Sequence, residues 1–100
     1  MMEDHITIKD LPEEERPRER LVRHGASVLS NAELLAILLR TGTKEESAIS
    51  LAHRILVQGQ GLRYLAESNI EQLNSINGIG RAKAAQIKAA LELGKRLAAF

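Results

Sequence analysis

An all-α fold of five or six helices is what this 100-residue chain predicts, and three observations predict it. Tyr64 and Phe100 are the only aromatic residues while Leu, Ile and Ala abound, so a core has to come from close packing of aliphatic helices. Apolar residues recur at three- and four-residue spacing through most of the chain. Ser30 with Glu33, Thr43 with Glu46, and Ser68 with Glu71 each fit the capping box, in which two side chains satisfy orphan amides at a helix start. A chain of this length suits one domain, burying roughly two-thirds of the surface its unfolded form exposes.

Taken in order, residues 1 to 16 hold a short alternating piece, "HITIKD", and a charged segment, "LPEEER", that read as an arm or a loose first turn. Pro17 fits the first turn of a helix, where its missing N–H costs nothing, and "PRERLVRHG" stops at Gly25 with Leu21 and Val22 expected inward. "NAELLAILLRTG" is apolar on nearly every face between Leu34 and Leu39 and is expected to be the buried helix of the bundle. A helix from about residue 44 places Ala48, Ala52, Ile55 and Leu56 on one face; Gly59 and Gly61 break the chain, and "LRYLAE" is a short helix before Ser68. After a helix from about residue 69, the closing helix from Arg81 to about Ala99 carries the stripe Ala84, Ile87, Leu91, Gly94, Ala98. Lys88, Glu92 and Arg96 would form an exposed ladder of i,i+4 pairs along it.

The two halves correspond at an offset of 38 residues without a gap. Ser30, Asn31, Glu33, Leu35, Leu38, Gly42, Ile49, Ala52 and Ile55 match Ser68, Asn69, Glu71, Leu73, Ile76, Gly80, Ile87, Ala90 and Leu93. Each half is then helix, tight turn, helix, at about 30–57 and 68–99, within a domain at 27–100 preceded by an arm and short helix at 1–26.

Composition excludes several function classes. There is no cysteine, hence no disulfide and no thiolate metal site. The longest unbroken apolar run, Leu34 to Leu39, is far below the ~20 residues of a membrane span, so a cytoplasmic chain without membrane contact is expected. His5, His24 and His53 are dispersed, and Glu13, Glu14 and Glu15 sit in a charged segment with no histidine beside them, so no metal site and no catalytic residue are expected. No P-loop or hydride-cofactor fingerprint is present. The net charge is +1, yet residues 1–20 carry seven acids and four bases, and residues 81–100 five bases against Glu92 alone. The last helix is basic.

The stretch that carries chemistry is "NSINGIGRAKAAQI". Gly78 can take a positive φ that ends a helix, leaving Ile79 to fold back between two helices, and Gly80 then opens the next one. First-turn amides there lack intrahelical acceptors and sit at the positive end of the helix dipole, so an anion is welcome. Bare glycine backbone admits a phosphate, and Arg81 and Lys83 attract it. Gly78, Ile79, Gly80, Arg81 and Lys83 are therefore the candidate phosphate-binding residues. No group here reads a base edge, so binding would be sequence-independent, weak, and salt-sensitive by a log-log slope of roughly 0.9 per phosphate. The competing reading is a tight turn that serves packing alone.

These residues resemble the helix-hairpin-helix motif: Leu73, Gly78, Ile79, Gly80, Ala84 and Ile87 fill its apolar, Gly-apolar-Gly, Ala and Ile positions. The first half keeps Gly42 but has Arg40 and Thr41 where Gly78 and Ile79 stand, and so resembles a degenerate copy with Gly42, Thr43 and Lys44 as a second contact. Paired motifs are similar to the double helix-hairpin-helix architecture, SAM-like or RuvA C-terminal-like, of many DNA repair and recombination proteins. With "IKDLPEEERPRERLVRHGASVLSNAELLAILLRTGT" included, nearly the whole chain resembles the N-terminal domain of the RadC family.

That resemblance implies a non-catalytic DNA-binding module, a DNA repair association, and a following metalloprotease-like domain of the JAMM/MPN type whose His-x-His and Asp ligands are absent here. The chain is accordingly read as an isolated N-terminal module ending at Phe100. The resemblance also implies a monovalent cation, K⁺ or Na⁺, held by main-chain carbonyls near Ile76 to Gly80, with no other cofactor. The alternative is a protein-interaction or self-association domain that contacts another protein or positions the following domain.

Overall fold

The computed structural model describes residues 16–100. The segments "HITIKD" and "LPEEE", with His5 and the Glu13 to Glu15 cluster, lie outside them. Among the described residues there are six α-helices and no strand: α1 (Pro17–His24), α2 (Asn31–Leu39), α3 (Ala48–Gly59), α4 (Leu62–Glu67), α5 (Ile70–Asn74) and α6 (Arg81–Ala99). The chain divides into two compact units, the first ending at Arg54 and the second running Ile55–Phe100. The all-α class expected from the sequence is the one observed.

In the first unit α1 begins at a buried Pro17 and stops at Gly25, whose φ is 89°. A 3₁₀ turn (Ala26–Val28) leads to Ser30, which caps α2. The Ser30 hydroxyl accepts from the Glu33 amide at 3.1 Å, and Glu33 Oε1 accepts from the Ser30 amide at 2.8 Å, a complete capping box. The other Glu33 oxygen receives Arg20 Nη1 at 2.9 Å, so one carboxylate both caps α2 and ties α1 to it. Pro17, Leu29, Leu35, Ala36, Leu39, Ala48, Leu51 and Ala52 are buried. Each buried Leu contributes roughly 1.5–3 kcal/mol.

Three expectations for this unit are corrected. Val22 is 74 % exposed, because a helix of eight residues turns only a narrow face inward and Leu21 lies on the half-buried side of it. On α2, Leu38 is exposed and Leu34 and Ile37 are half-buried, so burial is confined to the face of Leu35, Ala36 and Leu39. The second capping box also fails: α3 starts at Ala48, not near residue 44. Thr43 Oγ1 does accept from the amides of Glu45 and Glu46, both at 3.1 Å, but it closes a turn. Ser47 is the residue whose hydroxyl accepts from the Ser50 amide, at 3.1 Å, at the start of α3.

In the second unit α4 and α5 both pack on α6, and Ile55, Leu65, Leu73, Ile79, Ala84 and Ile87 are buried. The box expected from Ser68 and Glu71 is shifted by one residue. Asn69 Oδ1 accepts from the Gln72 amide at 2.7 Å and Gln72 Oε1 from the Asn69 amide at 2.8 Å. Ser68 is otherwise engaged, its hydroxyl donating to the Tyr64 carbonyl at 2.6 Å, and asparagine caps a helix at least as well as serine.

Along α6 the expected stripe is buried at Ala84 and Ile87, half-buried at Leu91 and exposed at Gly94 and Ala98. The charge ladder is only half made: Arg96 Nε meets Glu92 at 2.9 Å, while Lys88 Nζ donates to the carbonyls of Leu65 and Ala66 at 3.3 and 3.0 Å. Two carbonyls left without intrahelical donors at the end of α4 attract the ammonium more strongly than one exposed carboxylate does.

The gapless correspondence between the halves holds for Leu35 and Leu73, both buried, and breaks after the turn. Ile55 is fully buried whereas its counterpart Leu93 is 69 % exposed. Burial instead matches Ala48 and Leu51 with Ala84 and Ile87, because the chain takes six residues from Gly42 to its buried alanine and four from Gly80.

Candidate nucleic-acid interface

α5 ends at Asn74, and the turn that follows is held by backbone bonds: the Ile76 amide donates to the Leu73 carbonyl at 3.1 Å and the Ile79 amide to the Ile76 carbonyl at 2.9 Å. Gly78 has φ 98°, a conformation that costs a side-chain-bearing residue about 1–2 kcal/mol. The reversal it permits sends Ile79 inward to 3 % exposure, beside an α5 residue, Leu73, and two α6 residues, Ala84 and Ile87, that are equally buried.

Gly80 follows in extended conformation, φ −84° and ψ −178°, as the N-cap of α6. Its carbonyl accepts from the Ala84 amide at 3.0 Å, and it supplies no side-chain cap to the helix. A Cβ placed on Gly80 would meet nothing within 4 Å. Gly80, Arg81 and Ala82 at the start of this 19-residue helix are all exposed, and Gly80 contributes no capping oxygen. Arg81 is exposed and Lys83 half-buried. The five candidate residues fall on one continuous turn and helix start.

The first hairpin is built differently. Arg40 ends α2 with φ 70°, a left-handed conformation carried by a non-glycine residue, and its amide donates to the Ala36 carbonyl at 3.0 Å. A Cβ on Gly42 would overlap the Glu46 carbonyl and come within 2.6 Å of the Ser47 carbonyl carbon and 2.8 Å of the Ala48 nitrogen. Its glycine therefore admits the chain's own backbone. The Thr43 amide donates to the Glu46 carbonyl at 2.8 Å, and Lys44 is exposed. Between Gly42 and α3 lie five residues, so this glycine does not stand at a helix start.

Beside this turn Glu46 and Arg54 form a two-pronged ion pair, Nε to Oε2 at 2.9 Å and Nη2 to Oε1 at 2.7 Å. The hydrogen bond to Glu46 raises the Arg54 pKa above its ordinary value. Among the described residues no three His, Asp or Glu side chains gather as metal ligands, and no helix is long and apolar enough to cross a membrane. Sequence reasoning missed Lys88, Asn69 with Gln72, and Ser47. Lys88 acts across 22 and 23 residues and leaves no local signal, whereas Asn69-x-x-Gln72 is a readable cap.

Comparison with known proteins decides the family. The pattern described as UPF0758 N-terminal matches residues 8–85, more than half of the chain and including the whole Gly78 to Lys83 segment. The chain belongs to the UPF0758 family. The RadC resemblance of its residues is the resemblance of this N-terminal region. A UPF0758 protein of Moorella thermoacetica is 62 % identical over 95 residues, covering 95 % of this chain and 42 % of that protein. One from Bacillus licheniformis is 64 % identical over 92 residues, covering 92 % and 41 %. A third, from Methanosarcina mazei, is 57 % identical over 95 residues, covering 95 % and 41 %. The chain thus spans about two-fifths of the length of these relatives. No solved structure gives a significant match.

Proposed function

We propose that this UPF0758 region is a non-catalytic DNA-binding module that holds the phosphate backbone without sequence preference, within a RadC-like protein associated with DNA repair. The observation that carries the reading is Gly80: it opens a long helix, its Cβ direction is empty, and it provides no cap. A phosphate oxygen there takes the place of the missing capping oxygen, accepting from the first-turn amides, while Arg81 and Lys83 add attraction. Gly78 and Ile79 belong to the same proposed contact and shape the turn that presents it. A K⁺ or Na⁺ ion near Ile76 to Gly80 would be held by main-chain carbonyls of the turn. In the double-hairpin division, about 30–57 and 68–99, the first copy with Gly42, Thr43 and Lys44 is the weaker candidate contact: Gly42 packs against backbone and the Thr43 amide is engaged, while Lys44 is exposed.

The test is Gly80→Asp. The φ and ψ of Gly80 suit any residue and its Cβ has room, so aspartate caps α6 and keeps the fold, while its carboxylate occupies the phosphate position. Fluorescence anisotropy with a short random duplex should show binding by the parent chain, weakened by salt, and none by the variant at unchanged helicity. Equal binding by both would refute the phosphate reading.

A second reading, a protein-interaction module, is favoured by the apolar residues Leu93 and Leu97, which α6 leaves exposed.

A further inference from the structure

The last buried residue of α6 is Ile87, and every residue from Glu92 to Phe100 is exposed. Yet this exposed half is helical to Ala99 and apolar on one side: Leu93 is 69 % exposed, Leu97 75 %, and Phe100 follows at the spacing that continues their face. The stripe of buried Ala84 and Ile87 and half-buried Leu91 lies on a different side of the helix, so Leu93 and Leu97 are not an extension of the core. Helices in water owe most of their stability to packing of an apolar face, and two turns bearing large exposed aliphatic residues have such a face uncovered.

The occupant is indicated by the relatives. The match to the N-terminal family pattern stops at Ala85, within α6, and the relatives continue for more than half their length outside the region this chain covers. Because the matched region is N-terminal, most of that remainder follows α6 directly. A segment tethered to the end of a helix reaches its exposed face at millimolar effective concentration, far ahead of any partner in solution. We propose that the Leu93 and Leu97 face of α6 is the docking surface for the polypeptide that follows the N-terminal region in UPF0758 proteins. The proposal rests on the protein-interaction reading and is independent of phosphate binding.

The experiment compares amide hydrogen exchange of residues 89–99 in three samples: this chain alone, this chain mixed with the remainder of the Moorella thermoacetica relative, and this chain fused to that remainder. Exchange in the fusion slowed by about tenfold or more, and restored by Leu93→Ser with Leu97→Ser, is the expected result. Both leucines are exposed, so the serine variants keep the fold, which unchanged protection at Ala84 and Ile87 checks independently. The mixed sample supplies the same answer should the fusion misfold. If α6 is protected only as the concentration of the chain alone rises, its partner is a second copy: the docking proposal is overturned while the interaction reading survives. No protection in any sample overturns both.

Discussion

Glu46 and Arg54 face each other through two hydrogen bonds of 2.7 and 2.9 Å, the bidentate pairing in which a guanidinium matches a carboxylate. About a quarter of each side chain remains exposed, which places the pair between a surface contact and a buried one. Replacing Arg54 by Lys keeps the charge and removes the fork, and the expected loss of stability is about 0.5–1 kcal/mol by urea denaturation. The hydrogen bond to Glu46 raises the Arg54 pKa, and a base with a raised folded pKa contributes stability below its unfolded pKa and loses it only as pH rises through the folded value. That window lies far above the pH of any ordinary assay, so the Arg54→Lys difference should not diminish through arginine titration there.

Gly42 and Gly80 are predicted to respond differently to alanine. At Gly42 a methyl group collides with the backbone of Glu46 to Ala48, which cannot yield without moving the start of α3, and a loss of about 2–3 kcal/mol is expected. At Gly80 the methyl enters open space at an allowed φ, and the entropic gain of about 0.5 kcal/mol is offset by alanine's poorer N-cap preference, so stability should stay about level. Paired thermal denaturation of the two variants checks this.

Ile79 is the side chain that the Gly78 reversal delivers to the interior, at 3 % exposure. Ile79→Ala should cost about 2–4 kcal/mol in chemical denaturation. If the turn served only as a linker, the cost would be a small fraction of that.

In the proposed phosphate reading, the second hairpin sets the salt dependence. Arg81→Ala should lower the log-log salt slope of duplex binding by about 1, while Lys44→Ala should leave it nearly unchanged. Anisotropy titrations at a series of salt concentrations separate the two.

Lys88 holds the carboxyl end of α4 through Leu65 and Ala66. Lys88→Met keeps the aliphatic stem and removes the donor, so amide exchange at Ser68 and Asn69 should accelerate several-fold with a modest global loss near 0.5–1 kcal/mol.

Much of this was legible in the residues. Pro17 and Gly25 bound α1, Ser30 with Glu33 caps α2, "LRYLAE" is α4, and α6 spans the predicted residues, since each rests on local chemistry or on periodicity over many turns. The Gly78-Ile79-Gly80 turn was equally readable because only glycine takes φ 98° cheaply. What escaped depended on competition or distance. Thr43 had a cap pattern, but Gly42 packs against the residues that would have formed the first turn. Ser68 had one too, but the end of α4 claimed its hydroxyl. Lys88 chose carbonyls on another helix over a carboxylate on its own.

The length of α6 has a geometric consequence. A helix advances about 1.5 Å and turns about 100° per residue, so in UPF0758 proteins whatever continues rigidly from α6 has its azimuth as well as its distance set by residue number. Deleting one residue between Glu92 and Ala99 would swing the continuation by more than a quarter turn. Deleting seven would return it almost to its original heading, some 10 Å nearer the hairpin. The exposed half of α6 is in this sense a screw thread, and indels in it are expected to be tolerated in steps of seven rather than one.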